Sequence, residues 1–287
     1  MELQVFFKYV FIQNAFLAAL LMSITCGIIG TYIVSRRMVF ISGGITHASF
    51  GGVGIGYYFG FPPLAGAALI AIIAALTTEN LTRRKAIRND SIIAIMWSLG
   101  MAIGIIFVYL SPGYAPNLMS FLFGSIITVT RTDLLFMLAL ALTVSAFFIL
   151  FYKPILYVSF DEEFAKTRGI PVMLINYLLI VLVALTIVLS IRIAGIILVL
   201  SVLTIPQNIA NLFTNRFRRI MFGSVVIGFL ASVLGLILSY YLDIPSGATI
   251  IFILVVIYLV ARIIKVVTFG KLFQTTHSLI DGPEKNR

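Results

Sequence analysis

Apolar stretches of about twenty residues recur along the chain, separated by short polar clusters, and no other feature limits the fold as much. They run roughly over 14–34, 39–60, 62–79, 90–110, 133–152, 172–190, 194–214, 220–241 and 247–264. As a helix, a stretch of that length crosses the roughly 30 Å hydrocarbon core of a bilayer. In lipid the backbone must satisfy its own hydrogen bonds, and a helix does so within one segment. The pattern predicts an all-α polytopic membrane bundle of about eight or nine spanning helices, two of the stretches being interrupted by Gly or Pro. Composition agrees, with 61% apolar and 10% charged residues. Soluble domains carry about 25% charged residues, so the charges here are too few to cover a soluble surface.

The net charge of +10 might point to nucleic acid, but the placement of the charges points to a membrane. Arg36 and Arg37 follow the first stretch; Arg83, Arg84, Lys85 and Arg88 follow the third. Lys153, Lys166 and Arg168 follow the fifth; Arg216, Arg218 and Arg219 follow the seventh. Arg262, Lys265, Lys271, Lys285 and Arg287 follow the ninth. Of the 20 basic residues only Lys8, Arg131 and Arg192 fall on the other side. The positive-inside rule then puts the N-terminus outside and the C-terminus inside. Residues 1–13 form a short external segment without the basic start of a cleavable signal. Residues 14–264 form the transmembrane domain, and 265–287 a polar cytoplasmic tail. The single cysteine, Cys26, has no partner for an intrachain disulfide.

Five places carry more than spanning requires. Residues 118–129 are apolar but too short to cross, and read either as a re-entrant or interfacial helix or as a capping loop. In the second stretch Gly44, Ala48, Gly52, Gly56 and Gly60 recur every four residues, a small-residue stripe suited to close helix packing. Beside it lie Thr46, a candidate pathway-lining residue, and His47, the one histidine within an apolar stretch. The histidine is either a hydrogen-bonded packing residue or a ligand for a transition metal. In the seventh stretch Pro206 cannot donate to the carbonyl of Val202, so the helix loosens there. Thr204, Asn208 and Asn211 share one face, and either line a path or bond to neighbouring helices. Asp243, in Asp243-Ile244-Pro245-Ser246-Gly247, is either a turn residue or a carboxylate at the mouth of a path.

The fifth place, residues 159–169, has the grammar of a short cytoplasmic helix. Ser159 suits an N-cap, with Glu162 closing a capping box. Asp161, Glu162 and Glu163 favour the start of the helix dipole, Lys166 and Arg168 its end. Gly169 and Pro171 stop it. Such a helix either docks a soluble partner or lies in the interface. No Walker-type phosphate loop, paired metal motif or catalytic triad stands out. Scarce intramembrane carboxylates argue against a stand-alone carrier or facilitator, the alternative class.

Four ordered motifs resemble the permease family of the metal-type ABC importers. They are Arg36-Arg37-Met38 through His47-Ala48, Phe160-Asp161-Glu162-Glu163-Phe164-Ala165 through Arg168-Gly169, Ala194-Gly195-Ile196 through Ile205-Pro206, and Asp243 through Thr249. The likeness covers about residues 14–264. It implies a multi-pass subunit of the bacterial inner membrane for import of manganese, zinc or iron(II), with no permanently bound cofactor. It also implies a homodimer, cytoplasmic ATPases, and an external metal-binding protein that delivers the ion. The stretch from Phe160 through Asp161, Glu162, Glu163, Phe164 and Arg168 to Gly169 would be the coupling helix, and His47 and Asp243 metal contacts. The family often places an Asp four residues before the His; here that position is Gly43.

Overall fold

The computed structural model describes residues 9–83, 89–111, 124 and 126–280. Its helices are α1 (Val10–Ser35), α2 (Val39–Phe59), α3 (Pro63–Arg83), α4 (Asn89–Leu110), α5 (Arg131–Leu150), α6 (Tyr152–Phe160), α7 (Glu162–Thr167), α8 (Val172–Val202), α9 (Ile205–Phe213), α10 (Phe217–Leu242) and α11 (Ser246–Ile280). Among the described residues there is no strand. Of the 118–129 segment only Gly124 and the short 3-10 turn Ile126–Thr128 with Val129 are described, so its expected helix lies outside the described residues.

Seven helices are long and apolar enough to cross a membrane. Helix α2 has the length too, with 21 residues, but its glycines, hydroxyls and His47 dilute its hydropathy. Residues 172–213 count as one of the seven, yet they fold as two arms. Gly195 adopts φ 79, ψ 164 inside α8, a conformation outside the helical region. Before it, the Ser190 hydroxyl lies 3.6 Å from the Cys26 sulfur; after it, Gln207 donates to the Cys26 carbonyl at 2.8 Å. In one straight helix Ser190 and Gln207 would stand about 25 Å apart. The chain therefore doubles back at Gly195, and all nine apolar stretches find a helical arm.

Helix α1 is the central post. Of its span 78% is buried, against 17% for α11. It packs on α10, α5 and both arms of the hairpin. On the other side of the first arm, α2 lies between α3 and α4. The five-residue small stripe of α2 does not serve one neighbour. Each step of four residues turns about 400°, so the stripe drifts about 40° per step. Gly44 and Ala48 face Ile93 and Gly100 of α4, whereas Gly52 and Gly56 face Gly66 and Pro63 of α3. Gly60 ends the helix in the left-handed conformation with open space around it.

Pro206 shapes the second arm more strongly than a kink. Helix α8 ends at Val202, and α9 restarts at Ile205 with the proline in its first turn, where no N–H is needed. The Val202 carbonyl has lost its regular donor. Gln207, fully buried, supplies one from its side chain at 3.2 Å while also holding Cys26 of α1. At the far end, α11 runs as one helix to Ile280, past the expected span end at 264 and into the expected loose tail, since no proline interrupts residues 246–282.

The split stripe makes a specific forecast. Gly60→Ala strains only a left-handed residue, a loss of roughly 1 kcal/mol. Gly52→Ala drives a methyl group into the Gly66 backbone, so it lowers the unfolding temperature of the purified protein far more. Equal losses for the two variants would disprove this close approach of α2 and α3.

Candidate functional site

Two groups of expected residues can be followed, and they occupy different levels of the bundle. One group lies at the end that carries Arg36 and Arg216. There α5 gives way to α6, a helix absent from the sequence reading, and α6 to α7. The expected cap is displaced by two residues. Ser159 is still inside α6 and donates to the Ile155 carbonyl. Asp161 is the true N-cap, extended and accepting from the Phe164 N–H at 2.9 Å. Gly169, at φ 71, stops α7 as expected, and the Ile170 N–H reaches back to the Ala165 carbonyl.

Glu162, released from capping, ties α7 to the body. Its carboxylate accepts from the Arg36 guanidinium at 2.7 Å and from the Asn176 side chain at 3.1 Å. Arg36 also donates to the Val158 carbonyl at 2.7 Å. One guanidinium thus joins the end of α1 to α6 and α7, and through Glu162 to α8. Ala165, on the inner face of α7, is fully buried. The opposite face is exposed: Glu163, Phe164, Lys166, Thr167 and Arg168. Arg168 stacks over the Phe164 ring at 5.2 Å, and Tyr157 meets that ring edge-on. Phe160 is 66% exposed. The result is a short, rigidly seated helix showing mixed charges and two aromatic rings.

The second group is on α2 and the hairpin. His47 is half-buried, one turn from Gly43, on the face toward α4 and the hairpin residue Leu200. Its ring stacks on Trp97 of α4 with centroids 3.8 Å apart and planes 12° from parallel. Thr46 is fully buried and donates to the Ser42 carbonyl. Thr204 is half-buried and bonds to the Leu200 carbonyl, while exposed Asn208 donates back to the Thr204 carbonyl. Asn211 is exposed on the same arm. Gln207, between them in sequence, is the polar residue of this arm that packing uses; its i, i+3 offset from Thr204 gave no sign of that.

Asp243 stands apart. It caps α10 in the left-handed conformation with φ 54, and is exposed. That is the turn role, where Asp is tolerated better than most residues. It lies a whole 26-residue helix from the Arg216 end, whereas His47 lies about 12 Å along α2 from its own start at that end. One ion, with ligands roughly 2 Å away, cannot touch both within a single chain. Among the described residues no three His, Cys, Asp or Glu side chains gather as a closed metal site.

The Arg36–Glu162 pair predicts coupled losses. Glu162→Gln keeps an acceptor but removes the charge, a loss of about 1 kcal/mol for this partly exposed pair. Arg36→Ala also strips the Val158 carbonyl of its donor and loses more stability. In a thermal or denaturant cycle the double variant is expected to lose less than the sum; strict additivity would refute the link.

The chain can now be set beside known proteins. Residues 8–265 match the model of the ABC 3 transport family. A protein of Chlamydia pneumoniae described as a probable metal transport system membrane protein is 41% identical, over 85% of each chain. The manganese transport system membrane protein MntC of Halalkalibacterium halodurans is 35% identical, over 85% of this chain and 84% of its own. Among solved structures, PsaBC from Streptococcus pneumoniae, in complex with Fab, superposes with a TM-score of 0.81 at 31% identity, covering 90% of this chain and 93% of that one. A putative metal-chelate type ABC transporter in an inward-facing conformation shares the fold, at 18% identity and a TM-score of 0.66.

Proposed function

The chain belongs to the ABC 3 transport family, and on that ground we propose that it is the membrane-spanning permease subunit of an ATP-driven importer for divalent transition metal ions. It is a multi-pass transport subunit and not an enzyme; ATP hydrolysis belongs to a separate partner. The named activities of its relatives favour manganese among the candidate metals manganese, zinc and iron. A second copy of the chain completes the path, and an external binding protein delivers the ion.

One observation carries the coupling half of this reading. Helix α7 is capped by Asp161, stopped at Gly169 and pinned by Arg36, yet it spans nothing and leaves its outer face uncovered. A helix so fixed transmits force instead of absorbing it. The basic end faces the cytoplasm under the positive-inside rule, so the partner it meets there is the ATPase. Phe160 and Phe164 supply apolar contact, and Glu163, Lys166 and Arg168 a polar rim, the usual anatomy of a protein interface.

The conduction half rests on His47. A single imidazole nitrogen binds a transition ion weakly, with water filling the remaining positions. Weak contact suits passage, since an ion must leave as readily as it enters. Thr204, Asn208 and Asn211 extend polar groups along the second hairpin arm, and Asp243 stands at the external end.

Reconstitution tests the assignment. The chain, its ATPase and a metal-loaded binding protein in liposomes are expected to accumulate Mn2+ only with ATP; absence of ATP-dependent uptake would sink the proposal. Phe164→Asp places a charge on the docking face while leaving the spans intact. It is expected to abolish stimulation of ATPase activity by the loaded binding protein with unchanged thermal stability. Normal stimulation would remove α7 from the interface.

A further inference from the structure

An imidazole that binds a metal is ordinarily oriented by a hydrogen bond from its other nitrogen to a carboxylate or carbonyl. His47 lacks that device. Its Nδ1 is buried with no hydrogen-bond partner among the described residues. What holds the ring is Trp97. The stack at 3.8 Å and 12° is face to face, and it is made possible by how closely α4 approaches α2. A methyl carbon on Gly51 would lie 3.0 Å from the Gly100 carbonyl oxygen, and Gly100 in turn abuts the Ala48 backbone. At Gly51, Gly100 and Ala48 the two backbones meet directly, and the two rings stack within one turn of that contact.

The indole also covers the next turn of α2. A methyl carbon on Gly43 would touch Trp97 Cζ3 at 3.7 Å and Leu200 Cδ2 at 3.9 Å. Trp97 therefore occupies the ground beside His47 from which a second ligand on the same helix face would reach an ion. With Nδ1 turned inward, Nε2 is the nitrogen left for a ligand.

We propose that Trp97 is the positioning residue for His47: its indole fixes the imidazole plane by stacking, aims Nε2 at the passing ion, and closes the Gly43 side so that the ion meets one nitrogen and keeps most of its water. Trp97 touches the ion at no point in this arrangement; it acts through His47. The proposal rests on His47 lying in the ion path, and the test separates the two claims.

Trp97 is the only tryptophan in the chain. Emission from the purified full-length chain in phosphatidylcholine and phosphatidylglycerol liposomes therefore reports this residue alone. Paramagnetic Mn2+ is expected to quench it saturably in the wild type and not in His47→Leu. In the reconstituted complex, Trp97→Leu is expected to lower initial Mn2+ uptake by about two- to tenfold, the factor that one aromatic stacking contact supplies. Trp97→Phe keeps an aromatic face and is expected to stay within roughly twofold of wild type. In the His47→Leu background, Trp97→Leu is expected to have no further effect.

The opposing results are distinct. If His47→Leu leaves uptake unchanged, the ion-path reading fails, and this proposal with it. If His47→Leu impairs uptake but Trp97→Leu does not, the positioning role alone is overturned. If Trp97→Leu lowers uptake as much without His47 as with it, Trp97 is merely structural. Should the leucine variant fail to fold, the phenylalanine variant and the quenching decide: a large loss with Phe, or quenching that survives His47→Leu, overturns the proposal.

Discussion

Lipid offers no hydrogen bonds, so every backbone group in a span must find its partner inside the protein. Most of this bundle follows from that demand, and the informative places are those where a helix stops within it. At Gly195 the first hairpin arm ends, and the break is packed against Gly124, whose own φ of 64 needs glycine. At Val202 a second break is forced by Pro206, and the freed carbonyl is capped by Gln207. Because Gln207 also holds the Cys26 carbonyl, the repair fastens the arm to the central post. The cost of interrupting a helix in lipid is thus offset by a side chain that creates a tertiary contact.

The second demand is closeness. Apolar side chains gain little by meeting each other instead of lipid, so helices here associate where backbones can approach. Glycine pairs do this at Gly51 with Gly100, Gly54 with Gly104 and Gly52 with Gly66. Helix α2 is therefore gripped on two sides, and the level of His47 is set by contacts a turn or two away. The feature that lowers its hydropathy is the feature that holds it.

Much of this was legible in the sequence, and the misses have physical causes. Span length placed the helices because bilayer thickness acts on local sequence. The stop at Gly169 was legible because a left-handed residue has few candidates. The start of α7 was misread since Ser159 and Asp161 both suit an N-cap, and only tertiary contact decides: Arg36 draws Glu162 away from a capping box. The α2 stripe read as one face because spacing by four nearly closes a turn, and the drift that splits it accumulates only over several turns. Trp97 had no motif at all. Its pairing with His47 joins residues fifty apart through glycine contacts that single-chain periodicity does not reveal. That His47 and Asp243 lie at different depths of the chain was hidden for the same reason, since depth along the bundle is a tertiary quantity.

These elements connect at one residue. Arg36 caps the end of α1, and α2 begins three residues later, after Arg37 in a left-handed conformation. Glu162 and the Val158 carbonyl both hold the Arg36 guanidinium, so the α1–α2 turn is fastened to both α6 and α7. Helix α2 is clasped between α3 and α4 by glycine contacts at backbone distance. His47 lies about two turns along α2 from that turn. The Gly51–Gly100 contact that helps bring Trp97 onto His47 lies one turn beyond it, and the Gly44–Ile93 contact lies just before it, so the stack sits between two points of close approach of α2 and α4.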